Sequence, residues 1–400
     1  MATIVVVGGN FAGLTSALEV RRRLGAGHRV VVISRTDYFL FVPSLIWVPF
    51  GEREIEQITV PVQEILGGRE IEFVHEEAVS IDVEGRQVTT ASGNRYPFDF
   101  AVVATGPKLD WSLPGTGPSG YTQCICTPPD ALAARSAVEG LVANPGPAVV
   151  GALPGAGCIG AAYEFLFNLE DHLRRRGVRR RVEVTWITPE PFVGHFGIGG
   201  LPGAERLLTR FLEHLEIRWI ANAAIEAVEP GVVRLRDGRR IDFAFSMLMP
   251  PFVGQDVVQR SPGLGNPKGL VPVRDTYQHR EYPYLFAAGV AIDVPAPFTT
   301  PIALGVPKTG FPADVEAKVV AENIARLVQS GVNLKERPFG QIPGLCVMDA
   351  GHKEVVIVAN HLLPPRDHAV MIPNPLYDEG KRLFERYYLW KMRHGLSYLP

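Results

Sequence analysis

The stretch TIVVVGGNFAGLTSALEVRRRLGAGHRVVVISR, residues 3–35, is the feature that most restricts the possible fold. The apolar run Ile4–Val7 predicts a buried strand, and Val30–Ile33 predicts the next one. Between them, Leu14 and Leu18 have the spacing of the buried stripe of a helix. A strand, a glycine-rich turn, a helix and a second strand together predict a βαβ unit with parallel strands.

The turn of this unit predicts a site for a dinucleotide, because free N–H groups and the helix dipole favour a pyrophosphate there. Asn10 takes the place of a glycine, and Asn tolerates a left-handed backbone. The acid expected at the end of the second strand is missing, and a serine hydroxyl could bond a ribose instead. On this segment alone, a βαβ unit without a cofactor is the alternative. The residues assigned to the site are Gly8, Asn10, Phe11, Ala12, Gly13, Ser34 and Arg35.

The same plan recurs in the middle of the chain. PAVV (147–150) predicts a strand, GALPGAG (151–157) a turn, residues 158–177 a helix and RVEVTWIT (181–188) another strand. Two such units predict an α/β fold with two Rossmann-like domains. The expected boundaries are a discontinuous first dinucleotide-binding domain at 1–110 and 270–328, a second Rossmann-like domain at 111–269, and a C-terminal section at 329–400.

Bulk composition excludes several classes of protein. With 400 residues we expect two or three domains, and the net charge of −2 gives no argument for nucleic acid. The four cysteines are too few for a secreted disulfide scaffold. No uncharged apolar run reaches the length of a membrane span. Because a strand starts almost at the initiator Met, we expect no signal peptide.

Other segments give the sequence a family resemblance. ATG (104–106) and AAGV (287–290) look like the second and third flavin contacts of the two-dinucleotide-binding flavoproteins, with Val290 in place of the usual Asp. YFLFVPSLIWVPFG, CICTPPDA, GAGCIGAAYEF, PEPFVGHFGIGG, GVPKTGF, GLCVMDAG and FERYYLWKMR then resemble, in order, the sulfide:quinone oxidoreductase family. This resemblance implies FAD, with further contacts from Ala78, Thr105, Gly106, Gly289, Val290, Lys308, Thr309 and Gly310.

The resemblance also implies a catalytic set. Cys158 and Cys346 match the redox-active pair, and Cys126 matches a third family cysteine. Glu164 matches the acid that follows the central cysteine, and His195 matches an active-site histidine. The implied reaction begins with hydrosulfide attack on a disulfide sulfur, which leaves a persulfide and a thiolate. Two electrons then pass to FAD and on to a membrane quinone, and sulfur leaves as polysulfide.

Two departures from the family pattern stand out. Asp130 replaces a histidine found in some members, which puts a proton role at this position in doubt. Cys124 is an addition without an assigned place. Some relatives hold FAD through a thioether, and either Cys124 or Cys126 could make one here. The resemblance further implies sulfide, polysulfide and a quinone as partners, an assembly of identical chains, and peripheral (monotopic) membrane association.

Cys158 stands where the second unit would bind a nicotinamide dinucleotide. The turn 151–157 is stretched and contains a proline, and the following strand ends in Thr188 and Pro189 without an acid. We therefore expect that nicotinamide binding is lost. At the predicted helix N-terminus, the dipole is expected to lower the pKa of the Cys158 thiol and favour the reactive thiolate.

The segment 380–400 predicts an amphipathic helix at the membrane interface. Leu383, Tyr387 and Trp390 share one face, which Phe384 and Tyr388 widen. Lys381, Arg382, Arg386 and Arg393 fall mainly on the other side, and Lys391 could snorkel to the headgroups. The alternative is a helix docked on the protein's own core or in an oligomer contact.

Three other functions stay open at this point. They are the flavoprotein subunit of flavocytochrome c sulfide dehydrogenase, a type II NADH:quinone oxidoreductase, and a non-catalytic flavin-fold redox sensor. The altered turn at 151–157 disfavours the NADH:quinone oxidoreductase. The three matched cysteines disfavour the non-catalytic redox sensor.

Overall fold

The computed structural model describes residues 1–351, 353–374 and 379–400. Within these ranges the strands, in chain order, are Thr3–Val7 (β1), Arg29–Ser34 (β2), Tyr38–Leu40 (β3), Thr59–Pro61 (β4), Ile71–His75 (β5), Ala78–Asp82 (β6), Gln87–Thr90 (β7), Arg95–Pro97 (β8), Phe100–Val103 (β9), Pro107–Leu109 (β10), Ala148–Ala152 (β11), Val184–Ile187 (β12), Arg218–Ile220 (β13), Ile225–Glu229 (β14), Val232–Leu235 (β15), Arg240–Asp242 (β16), Phe245–Met249 (β17), Phe252–Gly254 (β18), Val271–Pro272 (β19), Leu285–Ala287 (β20), Ile292–Asp293 (β21), Gly344–Asp349 (β22), Glu354–Ala359 (β23) and Ala369–Asn374 (β24).

The α-helices of the same ranges are Phe11–Leu24 (α1), Val62–Leu66 (α2), Pro128–Ala143 (α3), Ile159–Arg175 (α4), Ala204–His214 (α5), Asp256–Gln259 (α6), Gly310–Val328 (α7) and Glu379–Arg393 (α8). Short 3-10 helices lie at Val42–Phe50, Ile55–Ile58, Arg179–Arg181, Gly289–Ala291 and Phe339–Gln341.

The first parallel sheet has the strand order β20-β9-β1-β2-β5. β1 lies between β2 and β9, both parallel to it, and Ile4, Val5 and Val6 are fully buried. A strand apolar on both faces fits the centre of such a sheet, which helices cover on each side. The neighbouring strands β8 and β9 belong to different sheets, because β8 pairs with β7 and β9 pairs with β1.

The second parallel sheet has the order β13-β12-β11-β17, and α4 follows its central strand β11. All five residues of β11 are buried. The two parallel sheets, each with a strand–turn–helix at its centre, confirm the predicted α/β fold with two Rossmann-like units. The domain boundaries given above stay a prediction.

The C-terminal part contains the antiparallel sheet β22-β23-β24 and helix α8. Tyr388 of α8 packs against the rings of Phe11, Phe39 and Phe41, with centroid distances of 5.0, 5.9 and 5.6 Å. One side of α8 is therefore docked on the first unit beside the turn that opens α1. Among the described helices, none combines the length and the apolar character needed to cross a bilayer.

Candidate active site

The turn between β1 and α1 forms a narrow backbone cradle. Gly8 has φ +122°, and a Cβ there would lie 2.1 Å from the Ala104 carbonyl oxygen. A Cβ on Gly13 would lie 1.9 Å from the Gly8 carbonyl oxygen. Only glycine fits at these two positions, which keeps the start of α1 open to a ligand. Asn10 is the N-cap residue of α1, and its side chain makes no capping hydrogen bond.

Two buried polar atoms at this cradle lack a partner. Among the described residues, the Asn10 Oδ1 and the Thr105 Oγ1 atoms are buried and have no hydrogen bond. Buried polar groups are normally satisfied, so these two oxygens indicate a polar ligand. The uncapped N–H groups at the start of α1 suit a pyrophosphate. The donor set therefore fits a dinucleotide such as FAD.

The segments around residues 289 and 308 lie next to this cradle. A Cβ on Gly289 would be 3.3 Å from the Ala12 Cβ, and one on Gly310 would be 2.7 Å from the Phe11 ring. The Lys308 Nζ donates to the carbonyl oxygens of Val290 (3.0 Å) and Ile292 (2.7 Å). Burial lowers the pKa of Lys308 to about 8. The structure thus brings together three predicted groups of cofactor residues: the turn that opens α1, the segment 287–290 and the segment 308–310.

Glu316 of α7 is a buried acid that sequence reasoning missed. Its Oε2 accepts a hydrogen bond of 2.5 Å from the Gly289 N–H, and the residue is fully buried. Burial raises the pKa of Glu316 to about 8, while Lys308 opposes that shift. In the sequence Glu316 is one acid among many of a helix, so no local pattern distinguishes it.

The other predicted cofactor residues lie at or near the ends of β2, β6, β9 and α7. Ser34 ends β2 and is buried, with its Oγ 3.2 Å from the Thr36 N–H, while Arg35 is exposed. Ala78 begins β6, three residues after His75, which pairs with Ser34. Gly106 has φ +69° directly after Thr105, and Thr309 is the N-cap residue of α7.

The second turn, 151–157, is closed by the protein itself. The Gly155 N–H donates to the Ala303 carbonyl at 2.6 Å, and the Gly305 N–H donates to the Ala156 carbonyl at 3.0 Å. A Cβ on Gly157 would lie 2.9 Å from the Val306 carbonyl oxygen. The segment 303–306 therefore packs on this turn and binds the Gly155 N–H that a pyrophosphate would otherwise use.

The strand that follows, β12, has no acid at its tip, as expected, but an acid lies shortly after it. Glu190 lies two residues beyond Thr188, but it is fully buried and points inward. It accepts hydrogen bonds from the Tyr163 hydroxyl (2.8 Å), the Thr188 hydroxyl (2.8 Å) and the Phe196 N–H (2.6 Å). Burial raises its pKa to about 7. Because its oxygens are engaged inside the protein, Glu190 is not placed to bind a ribose.

Cys158 is the N-cap residue of α4, as predicted, but its pKa moves in the opposite direction. Burial raises the pKa of the thiol to about 11, and the lowering effect of the Ala161 N–H in the first helical turn is smaller. The prediction of a lowered pKa in this state is therefore wrong, because desolvation outweighs the helix N-terminus.

The four cysteines form one neighbourhood and are free thiols. A charge on Cys158 raises the pKa of both Cys346 and Cys126, so Cys158 lies near each of them. Burial is the largest cause of the raised pKa of Cys346, although the residue is exposed and its desolvation is only partial. The Sγ atoms of Cys124 and Cys126 are 3.0 Å apart.

A buried ion pair lies beside these thiols. The Lys381 Nζ of α8 is 2.6 Å from the Glu164 Oε1 of α4, and their side chains are 4% and 10% exposed. The same Glu164 oxygen accepts the Asp349 N–H at 2.8 Å, and the Asp349 carboxylate accepts the Trp47 Nε1–H at 2.6 Å. Burial raises the pKa of Glu164, and Lys381 opposes that shift.

Lys381 also acts on the two thiols. Its positive charge lowers the pKa of both Cys158 and Cys346, against the larger effect of burial. The sequence analysis placed Lys381 on the polar side of a membrane helix, and this is wrong. The residue is 3% exposed and faces the sulfur site.

Two predicted residues have plain structural partners. His195 is buried, its ring packs at 5.3 Å from Phe192 and 4.8 Å from Phe298, and burial lowers its pKa. Among the described hydrogen bonds, none joins His195 to a thiol or to Glu164. Asp130 lies in the first turn of α3, where its N–H donates to the Oγ1 of the N-cap residue Thr127 and its Oδ2 accepts the Thr127 hydroxyl at 2.6 Å.

Comparison with known proteins agrees with this geometry. The model of the pyridine nucleotide-disulphide oxidoreductase family matches residues 2–303. The sulfide-quinone reductase of Aquifex aeolicus is 36% identical over 398 residues, which are 98% of this chain and 91% of that protein. The chain belongs to the pyridine nucleotide-disulphide oxidoreductase family. The crystal structure of the Aquifex aeolicus sulfide:quinone oxidoreductase covers 99% of this chain and 92% of its own, with a TM-score of 0.94.

A second relative is more distant. The mitochondrial sulfide:quinone oxidoreductase of Mus musculus is 22% identical over 73% of this chain and 66% of its own length. The resemblance seen in the sequence is confirmed by these matches.

Proposed function

We propose that this chain oxidises sulfide and passes the electrons to a quinone through FAD. The observation that carries the proposal is the group formed by Cys158 at the start of α4, Cys346 on β22 and the buried Glu164–Lys381 pair beside them. Two neighbouring thiols, one half-buried and one exposed, next to a fixed positive charge suit thiol–disulfide chemistry. The proposal agrees with the names of the relatives described above.

The chain's own residues account for the sulfur steps. In the oxidised protein, Cys158 and Cys346 are joined as a disulfide, directly or through further sulfur. Hydrosulfide attacks one sulfur, so a persulfide forms on one cysteine and the other leaves as a thiolate. Lys381 stabilises that thiolate electrostatically. A further sulfur atom is added only after the persulfide and the thiolate have been rejoined by the loss of two electrons, which FAD would accept when bound, and polysulfide then leaves.

The cofactor would be held by the cradle of Gly8, Gly13, Asn10 and Thr105 and by the segment of Lys308. When bound, FAD would accept two electrons from sulfur and pass them on to the quinone. Cys126, with Cys124 beside it, is the proposed candidate for a covalent link to FAD. Denaturation shows whether the yellow colour stays with the protein.

Glu164 is proposed to exchange protons with the sulfur site. Its carboxylate is held by Lys381 and by the Asp349 N–H, so it stays close to the thiols in either protonation state. His195 is proposed to have a structural role, since its ring lies between aromatic side chains.

Membrane contact is proposed for the outward side of α8 and the sheet β22-β23-β24. On α8, Leu383 is 66% and Trp390 is 45% exposed, with the exposed cations Arg386 and Arg393 on the same helix. The sheet exposes an apolar set on one face, made of Leu345, Val358, Val370 and Ile372. Apolar and basic side chains together suit a peripheral helix at an anionic bilayer. We also propose that the chain assembles with identical copies.

One experiment tests the function. The purified protein should be yellow, and under anaerobic conditions sulfide should bleach it while NADH and NADPH should not. Addition of a quinone should restore the colour. Rapid bleaching by NADH would contradict the proposal and favour a dehydrogenase, and a protein that sulfide cannot bleach would rule out sulfide oxidation.

A further inference from the structure

Trp47 has no role in the steps above, although its side chain reaches the elements that carry the sulfur site. It lies in the 3-10 helix Val42–Phe50 and is fully buried. Its Nε1–H donates to the Asp349 Oδ2 at 2.6 Å, and the Asp349 Oδ1 accepts the Gly351 N–H at 3.0 Å. Asp349 is 1% exposed, so these donors replace the water that would otherwise solvate its carboxylate.

The indole ring of Trp47 is held in one orientation by cations. Arg53, Lys381 and Arg382 lie 4.9, 5.2 and 5.1 Å from the centre of the ring. Each of these cations is also paired with a carboxylate no more than 3.0 Å away. Because cations bind the face of an indole, the ring is restrained and its N–H stays directed at Asp349.

Asp349 joins Trp47 to both elements that carry a cysteine of the redox pair. It is the last residue of β22, the strand of Cys346, and β22 is an edge strand of its sheet. The Asp349 N–H donates to the Glu164 Oε1 of α4 at 2.8 Å. Helix α4 packs on β22 and begins directly after Cys158.

The contact between Asp349 and Glu164 sets the position of β22 along α4. Glu164 is six positions after Cys158, which is about 9 Å along a helix. Asp349 is three positions after Cys346, which is about 10 Å along a strand. Because the two lengths are similar, the contact keeps the two cysteines at one level. A shift of β22 would separate them, and a disulfide tolerates only a narrow range of Cα distances.

We propose that Trp47 is a positioning residue for the Cys158–Cys346 pair. It acts through Asp349, which fixes the strand of one cysteine against the helix of the other. The inference rests on the proposed function only for the disulfide between these two cysteines.

The variant Trp47→Phe tests the proposal, because it keeps an aromatic ring and removes the N–H. The Asp349 Oδ2 then loses its donor, and β22 is free to shift. The equilibrium of the Cys158–Cys346 disulfide with dithiothreitol should move towards the two thiols by about tenfold or more, since a misplacement of about 1 Å has effects of this size or larger on well-oriented groups. In this equilibrium, dithiothreitol gives two electrons and two protons to the pair and becomes a cyclic disulfide. A loss of fold stability alone does not move it, because both forms that are compared are folded.

The equilibrium can be read by peptide mapping. The FAD-loaded protein is fully reduced, equilibrated without oxygen in mixtures of reduced and oxidised dithiothreitol, quenched with acid, blocked with N-ethylmaleimide in denaturant and digested. Trypsin releases Cys158 in peptide 136–174 and Cys346 in peptide 336–353. The fraction of these two peptides that is linked gives the equilibrium constant.

Asp349→Asn is the second variant, and it decides the question if Trp47→Phe does not fold. A neutral acceptor binds the indole N–H more weakly than a carboxylate, so the constant should move in the same direction by a smaller factor.

Ser261→Ala is the matched control. Ser261 is 3% exposed, and its Oγ accepts the N–H of Ile81 in β6 at 2.7 Å. Alanine therefore also leaves a buried polar group without its partner, but outside β22 and α4. The denaturant midpoint of this variant should fall, while its disulfide constant stays that of the native sequence.

Native-like constants in both Trp47→Phe and Asp349→Asn would overturn the inference, and so would an equal shift in Ser261→Ala. Sulfide bleaching of the native protein separates the two proposals. If Trp47→Phe weakens the disulfide but sulfide does not bleach the native protein, the proposed function alone fails. If sulfide bleaches the native protein and both variants keep its disulfide constant, this inference alone fails.

Discussion

Replacing Lys381 by methionine should destabilise the protein by about 3–5 kcal/mol, because it leaves the Glu164 carboxylate buried without its cation. The two side chains are 4% and 10% exposed and 2.6 Å apart, so solvent does little to compensate. Of the hydrogen bonds to Glu164 Oε1 from described residues, the one from the Asp349 N–H then remains. The measurement is the denaturant midpoint of the FAD-loaded protein, with the slope checked for constancy.

The same variant has a defined pH dependence. Without Lys381, the pKa of Glu164 in the folded state rises further above its usual value, because Lys381 now opposes the effect of burial. A raised pKa of an acid means that the folded state binds the proton more tightly than the unfolded state. The loss of stability should therefore be largest above the folded pKa and should shrink as the pH falls towards the usual glutamate value.

A matched control exists on the surface. Lys108 and Asp256 are also 2.6 Å apart, but their side chains are 48% and 38% exposed. Lys108→Met should cost about 0–1 kcal/mol. Glu164→Gln combined with Lys381→Met should recover part of the loss, since neither member of the pair is then charged. The reasoning is refuted if the two single lysine variants lose the same stability.

The remaining predictions concern the sulfur site and the membrane. Cys158→Ser and Cys346→Ser should each abolish sulfide-dependent bleaching and leave FAD bound, because the two thiols act as a unit; near-normal turnover of either would contradict the mechanism. In the reduced protein, alkylation of Cys158 should become faster with every pH step up to its pKa of about 11, since only the thiolate reacts, and a plateau near neutral pH would show that the pKa is not raised. Leu383→Glu and Trp390→Glu should each weaken binding to liposomes with anionic lipid by about tenfold or more, because about 1.5–3 kcal/mol of apolar burial is lost; unchanged binding in co-sedimentation would place the contact elsewhere.

The parts of the fold predicted from the sequence are those fixed by local pattern. The β1 and β2 strands and the turn at Gly8 follow from apolar runs and a steric need for glycine, and both are visible in a short stretch of chain. The N-cap position of Cys158 was also predicted from the local sequence pattern. Its pKa did not, because burial depends on residues far away in the sequence.

The residues that sequence reasoning missed belong to long-range polar contacts. Lys381 pairs with Glu164 across 217 positions, and no local sequence pattern at either residue predicts this contact. Glu190 was overlooked because an acid was expected only at the tip of the strand. Glu190 lies two residues after Thr188 and points inward, where it accepts the Tyr163 hydroxyl. In both cases tertiary packing decides what a charged residue does.

Helix α8 illustrates the same limit. The helical periodicity predicted an exposed apolar face, and Leu383 and Trp390 are indeed at the surface. Tyr388, which was expected to widen that face, is 2% exposed and packs on the core, so this part of the prediction is wrong. It also placed Lys391 at the headgroups, and this is wrong. Lys391 is fully buried, with its Nζ 3.1 Å from the Asp314 Oδ2. Periodicity separates faces, but it does not show that the charged positions of a helix meet acids in the protein interior.

The two sides of α8 therefore connect the sulfur site with the surface. Lys381 lies nine positions before Trp390, which is about 14 Å along a helix. On the inner side of α8, Lys381 pairs with Glu164 and Lys391 pairs with Asp314. On the outer side of the helix, Leu383 and Trp390 are exposed. Deleting 380–400 would expose two buried acids along with the membrane face, so loss of activity would not distinguish an anchor from a support. Substitutions confined to the outer side make that distinction, because they leave both buried ion pairs in place.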